Sequence, residues 1–461
     1  MPSSAKQLRA DVERIWRAGV AAVLPERLVP EHVRVDGDWL VVGDDTLDLR
    51  PIERIAIVGA GKAAGAMAIA LERVLGPRLL AEKNLIGWIN VPADCVAPAE
   101  RVHLHAARPA GVNEPRPEGV EGTRRILEIV AALGPRDLCF CLLTGGGSAL
   151  LPAPVPEIAL AEKIRLTKLL SATGANIEQL NTVRSQVSAV KGGGLARACR
   201  AGRSITLLIS DVLGDPLDLI ASGPTVQSYA TAADALAILN DLGLTADASI
   251  ANVVQYLQRR AANPPGWLGR TSAGPVGDSP DSHASHYVLA NNATAVDAAG
   301  VEAERLGYSH AMIAATRSED AAEEVGRHLA GMALRMREEP GPDCLISGGE
   351  PTVTLVDEKI RGKGGRNQQL ALAALTELGD CHDIAFLSAG TDGEDGPTDA
   401  AGAFISEEVV RSARAQHLQS ADYLARNDAY RFFEKAGGLF ITGPTHTNVC
   451  DLRVLAVANN S

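Results

Sequence analysis

Five apolar runs of the chain end in small, basic or acidic residues of the types that handle anions. Ile55 to Val58 runs into Gly59-Ala60-Gly61-Lys62, Leu138 to Leu143 into Thr144-Gly145-Gly146-Gly147-Ser148, and Ile205 to Ile209 into Ser210-Asp211. Further on, Cys344 to Ile346 ends in Ser347-Gly348-Gly349-Glu350, and Ile384 to Leu387 in Ser388-Ala389-Gly390-Thr391-Asp392. Glycine turns expose peptide N–H groups that can cradle a phosphate. Carboxylates after strands can share Mg²⁺ with substrate oxygens.

Each motif carries a chemical reading and a plainer one. Gly59-x-Gly61-x-x-Ala64 is a form of the dinucleotide fingerprint, whose second half is an acid at the end of the next strand. That strand, Leu85 to Val91, ends before Pro92, and Asp94 arrives only after the proline, which weakens a nicotinamide reading. Lys62 in a first helical turn opposes the helix dipole unless an anion lies there; the alternative is a solvated lysine. Gly145, Gly146, Gly147 and Ser148 read as an anion nest or as a simple glycine turn, for no Walker A pattern exists in the chain. Lys191-Gly192-Gly193-Gly194, after a helical stretch holding Asn181, Arg184 and Ser188, reads equally as a helix C-cap or a phosphate loop. Arg361-Gly-Lys363-Gly-Gly-Arg366-Asn367 precedes the helical run Gln368 to Leu378, and Arg366 offers a fork for phosphate or carboxylate.

Asp211, Asp215 and Asp218, Glu350, and Asp392, Asp395 and Asp399 supply the acids. Many are turn residues and helix caps, so the first acid after each strand, Asp211 and Asp392, is the better metal candidate. No G-x-S-x-G elbow and no metal-spaced histidines occur, which leaves cations, carboxylates and glycine loops. That equipment suits phosphoryl transfer, where positioning and charge neutralisation do the catalysis.

The elements that must position these groups follow from the pattern. Short apolar runs alternate with alanine-rich helical stretches, so the class is α/β, with parallel sheet covered by helices. A chain of 461 residues suggests two or three domains at roughly 150 residues each. Ala261 to His286, rich in Pro, Gly and Ser, reads as the connection, dividing residues 1–270 from 286–461. The first helix, with Val12, Ile15, Trp16, Val20, Val23 and Leu24 on one face and Pro25 at its end, reads as a docking helix and not a signal peptide. A net charge of −12 argues against nucleic acid or anionic membrane as partner, and no apolar run is long enough to span a bilayer. The 7 scattered cysteines fit a reducing cytoplasm. A homodimer is compatible with the sequence.

Taken together, IVGAGKAAGAMA, LLTGGGSALLPAP, LNTVRSQVSAVKGGGLA, ISDVLGDPLDLIASGPTV, SGGEPTV with GKGGRNQQLALA, SAGTDGEDGPTDAAGA and TGPTHTNVCDL resemble, in order, the class II glycerate 2-kinases of the MOFRL family. Members have often been labelled hydroxypyruvate reductases, so an NAD(P)H-dependent reductase is the rival. The resemblance implies a Rossmann-like N-terminal domain, a smaller α/β C-terminal domain and an active site in the cleft between them. It implies ATP and Mg²⁺ or another divalent cation, with D-glycerate phosphorylated at its 2-hydroxyl. It places Lys62, Asp211, Asp392 and Arg366 in catalysis, with Asp211 and Asp392 also the metal candidates. It places Glu350 and Asn448 at the site, where they would meet substrate; from the loop readings above, Ser148 would meet it too, while Gly59, Gly61, Gly145, Gly146, Gly147, Lys191, Gly192 and Gly193 would line the nucleotide. The family's usual TGPTGTN reads here with His446 for its second glycine, and Cys450 stands where asparagine is familiar.

Overall fold

The computed structural model describes residues 5–263, 284–317 and 319–458. Most of the expected Pro/Gly/Ser connection therefore lies outside the described residues; its ends belong to a helix, Ala251–Ala262, and a strand, Ala284–Ala290. The chain forms two compact units. One contains Val29–Ile209 and Asp215–Leu289; the other contains Met1–Leu28, Ser210–Gly214 and Ala290–Ser461. This differs from a linear division at 270 and 286, because the first helix and the Asp211 segment belong with the C-terminal half.

The first unit is built on a six-stranded sheet in the order Val102–Arg108, Ile86–Pro92, Arg54–Ala60, Asp137–Leu143, Arg203–Ile209, Ala284–Ala290. The first five pair parallel. Numbered along the chain, the order is 3-2-1-4-5-6, that of a Rossmann sheet. Arg54–Ala60 and Asp137–Leu143 read as near-continuous apolar runs because both faces are covered. The order reverses between these two strands, so the loops that follow them, Gly61–Lys62 and Thr144–Ser148, lie at the switch point where such sheets bind ligands. Close packing there demands glycine: a Cβ on Gly59 would lie 2.0 Å from the Leu142 carbonyl oxygen, and one on Gly61 2.0 Å from Thr144 Oγ1. A separate helical cluster, including Leu166, Leu170, Val183, Leu239 and Leu257, fills the rest of this unit's core.

The second unit carries a mixed six-stranded sheet in the order His310–Ile313, Cys344–Gly349, Asp451–Val457, Ile384–Gly390, Gly402–Ile405, Leu439–Phe440. It is not the parallel sheet that the alternating pattern predicts. The last strand, Asp451–Val457, inserts between two earlier ones and runs antiparallel to both, a long-range pairing that local periodicity does not report. The predicted docking helix is observed as Ala5–Ala22, and its Leu8, Val12, Ile15, Trp16 and Val20 pack into the core with Val296, Phe440, Leu452 and Val454. Among the described residues no helix is long and apolar enough to cross a membrane.

Candidate active site

In the parallel-sheet unit the residues converge on the two loops at the switch point. Helix Ala64–Glu82 begins two residues after Lys62, so Lys62 stands just ahead of the first turn and not within it. The turn is tied to its neighbour: Lys62 N–H donates to the Gly145 carbonyl at 3.0 Å and Ala63 N–H to Thr144 Oγ1 at 3.1 Å. Gly59 and Gly61 permit this approach, and Gly61 N–H is spent on the Asn90 carbonyl. The N–H groups of Gly145 and Gly146 have no hydrogen-bond acceptor among the described residues. Gly146 takes a left-handed φ of 77°, which leaves its amide in a turn open to an oxyanion. A Cβ at Gly146 would sit 3.3 Å from Arg108 Nη2 and 3.9 Å from Lys62 Cγ, so two cations flank this loop.

Arg108 escapes a motif search because it ends the third strand inside an unremarkable HAAR run, yet it is 4% exposed. Its signal is a basic residue at a strand's carboxyl end.

Ser148 is the meeting point of further groups. Lys191 Nζ donates to its carbonyl at 3.0 Å and its hydroxyl at 2.7 Å; Arg184 Nη2 also donates to the hydroxyl. Ser148 and Ser222 hydroxyls lie 3.0 Å apart, and Ser222 donates to Asn181 Oδ1 at 3.0 Å. Gly192 and Gly193, by contrast, do not present amides to a ligand. Their N–H groups donate to the Ser222 and Gly223 carbonyls at 3.1 and 2.7 Å. They are not a C-cap either: helix Ile177–Gln186 has already ended at Gln186 and Gly193 caps the next short helix.

The mixed-sheet unit holds Asp211, Glu350, Asp392, Asp395 and Asp399, whereas Asp215 and Asp218 fall in the parallel-sheet unit. Arg366 opens helix Arg366–Leu378, two residues earlier than the apolar run suggests. Its Nε and Nη2 grip Asp451 at 2.8 and 3.0 Å, and Nη1 donates to Glu350 at 2.9 Å. The fork read from sequence as an anion clamp is thus engaged by a carboxylate that is fully buried at the start of the last strand. Burial pushes the Glu350 carboxyl above its usual range, while the Arg366 guanidinium pulls the other way. Asp395 is a cap: its two oxygens accept from Asn367 N–H at 3.0 Å and Gln368 N–H at 2.8 Å, at the helix start. Lys363 lies over the Tyr430 ring at 3.8 Å, and Arg361 is exposed.

Asn448 Nδ2 donates to Asp211 Oδ2 at 3.2 Å, and its own Oδ1 accepts from Cys450 N–H at 3.1 Å. Cys450 Sγ contacts the Asp211 carbonyl at 3.1 Å, and its thiol is pushed up by burial and by the nearby charges of Glu350, Asp211 and Asp451. Asp392 follows strand Ile384–Gly390, half-buried, with Oδ1 accepting from Glu394 N–H at 3.1 Å. Asp211, Glu350, Arg366, Asn448 and Asp451 therefore form one neighbourhood about Cys450. No group of three or more His, Cys, Asp or Glu residues is placed to hold a metal among the described residues. Mg²⁺ needs only one or two carboxylates when phosphates and water complete its shell, so the donor set still fits that ion.

Residues 11–258 match a model described as a domain of unknown function (DUF4147), and residues 343–451 match the MOFRL family. The chain is 36% identical to a glycerate kinase of Bos taurus, with 98% of this chain and 94% of the relative covered. It is 34% identical to a D-glycerate 2-kinase of Thermotoga maritima, with 98% of each covered. The chain belongs to the glycerate kinase family. A crystal structure of a glycerate kinase from Thermotoga maritima superposes with a TM-score of 0.78 at 33% identity, covering 98% of this chain and all of that one. The departures of this glycerate kinase family member in the last motif acquire a physical meaning here. His446 and Cys450 adopt φ of 60° and 68°, left-handed values that glycine and asparagine accept with less strain.

Proposed function

We propose that the chain transfers the γ-phosphoryl group of ATP to the 2-hydroxyl of D-glycerate, giving 2-phospho-D-glycerate and ADP. The observation that carries this reading is its full-length likeness to a D-glycerate 2-kinase, on a Rossmann sheet whose switch point is lined by free amides and cations. A bond forms between the substrate O2 and the γ-phosphorus, the bond to the β,γ-bridging oxygen breaks, and the hydroxyl proton leaves to a base.

The chain's own groups divide the work. Lys62, the Gly145 and Gly146 amides and Lys191 neutralise and orient phosphate oxygens. Gly59 and Gly61 hold the strands close enough for the loops to meet, whereas Gly147, expected from sequence to line the nucleotide, spends its N–H on the Thr144 carbonyl at 3.1 Å and closes the turn instead. Arg366 holds Glu350 in place through its outer nitrogen, and Asn448 orients Asp211. Asp211 and Asp392 are the residues for a divalent cation or for the reacting hydroxyl. A bound divalent cation supplies charge neutralisation on the transferring phosphate. A cytoplasmic location is supported by seven cysteines that all remain thiols.

The reductase alternative finds less support. The second strand ends at Pro92 and the following Asp94 is exposed, where a nicotinamide site wants an acid on the ribose. The reading is tested by supplying D-glycerate with Mg·ATP, and separately hydroxypyruvate with NADH. Glycerate-dependent ADP release is expected; NADH oxidation without ADP release would overturn it.

A further inference from the structure

The parallel-sheet unit buries a group of three cations that no carboxylate pairs with among the described residues. Lys163 is 3% exposed and Lys191 1% exposed, and half-buried Arg184 joins them. None of the three forms a salt bridge with an acid among the described residues. Lys163 rises from helix Leu160–Ala172 beside the apolar cluster of Leu166 and Leu170, where nothing accepts from its ammonium. Buried lysines without partners are rare and costly, and arginine cannot discharge itself by losing a proton.

The hydrogen-bond directions sharpen the point. Ser148 Oγ accepts from both Lys191 and Arg184, so its own proton must pass to Ser222, which donates to Asn181 Oδ1. The chain of donors ends with no acceptor left over. Lys163 Nζ, Arg184 Nε and Asn181 Nδ2 are all buried donors without an acceptor. Asn181 and Ser222 also border a cavity of about 310 Å³ whose lining includes the acids Glu178 and Asp218 and none of the three cations, so the anion is assigned to the Ser148 side of these two residues and not to that cavity. An excess of buried donors and of positive charge around one hydroxyl matches the needs of an oxyanion.

We infer that Arg184 and Lys191, which meet at the Ser148 hydroxyl, together with the neighbouring Lys163, form a binding site for a compact oxyanion, a carboxylate or a phosphoryl group. That the anion belongs to the reacting pair rests on the kinase reading; the existence of the site does not. Burial and the Arg184 charge pull both lysines towards neutrality, to about 7 for Lys163, and an arriving anion restores their charge.

The test uses the full chain and calorimetric titration with inorganic phosphate, ADP and D-glycerate in turn, on wild type, Lys163→Met and Arg184→Gln. The expected result is at least tenfold weaker binding in both variants. Loss confined to phosphate and ADP assigns a phosphoryl group, and loss confined to D-glycerate a carboxylate. Lys163→Met is also expected to keep or raise the unfolding temperature of the ligand-free protein, since it removes an uncompensated buried charge; a merely structural lysine would lower it. Should Arg184→Gln not fold, Lys163→Met and Arg184→Lys carry the comparison. No saturable binding of any probe to wild type, or affinities within twofold of wild type in the variants, would overturn the site. Phosphate binding that persists in a protein without glycerate-dependent ADP release would sink the kinase reading and leave this site standing.

Discussion

Replacing Lys62 by alanine is expected to lower kcat by on the order of 10²-fold, because a cation beside the Gly146 loop meets charge that develops on the transferring phosphate. The unfolding midpoint should largely hold, since the turn is tied by backbone N–H groups of residues 62 and 63 that the substitution leaves in place. Arg366 behaves differently. Its fork neutralises the fully buried Asp451, so Arg366→Ala should cost roughly 3 kcal/mol or more of stability in urea unfolding as well as depress kcat/KM. An activity loss with unchanged stability would mean that Asp451 is compensated by something else. The buried Lys163 sets a pH dependence. Burial pushes its ammonium down to about 7 in the fold, below the ordinary lysine value of about 10.5, so between these the unfolded chain holds more protons and stability climbs as pH rises. The slope from this group approaches about 1.4 kcal/mol per pH unit at most, and urea unfolding at several pH values should show a flatter profile for Lys163→Met.

At the scale of elements, the five strand ends named from sequence all fall on observed strands, because strands buried on both faces, parallel or not, write themselves as unbroken apolar runs. The docking helix was equally readable from its stripe, though not the core that receives it, since a stripe names no partner. Pairings across hundreds of residues stayed hidden: Asp451, which decides what Arg366 does, sits in a CDLRV stretch with no local signal. The same holds for Lys163, whose burial follows from the fold of helix Leu160–Ala172 against its neighbours. Glycines at strand ends have two readings, and here contact decides between them. Gly61→Ala should destabilise by about 3 kcal/mol or prevent folding, as its Cβ would collide with Thr144 Oγ1 in a close-packed interior. Expression and thermal unfolding of the variant check this, and a fold as stable as wild type would show that the two loops can separate.

The whole molecule carries a net charge of −12, yet its reaction needs two anions in one place. Its cations are therefore concentrated, with Lys62, Arg108, Arg184 and Lys191 in the parallel-sheet unit and the principal acids in the mixed-sheet unit. Neither unit is a contiguous stretch of chain. The central claim is phosphoryl transfer to the 2-hydroxyl by this set of residues. It is tested most directly by incubating the protein with D-glycerate and Mg·ATP and locating the phosphate on the product by ³¹P–¹H correlation NMR. Phosphorus coupled to the C2 proton, with the signal lost in Lys62→Ala, is the predicted result. Phosphorus coupled to the C3 protons, or ATP left intact beside unchanged glycerate, would contradict it.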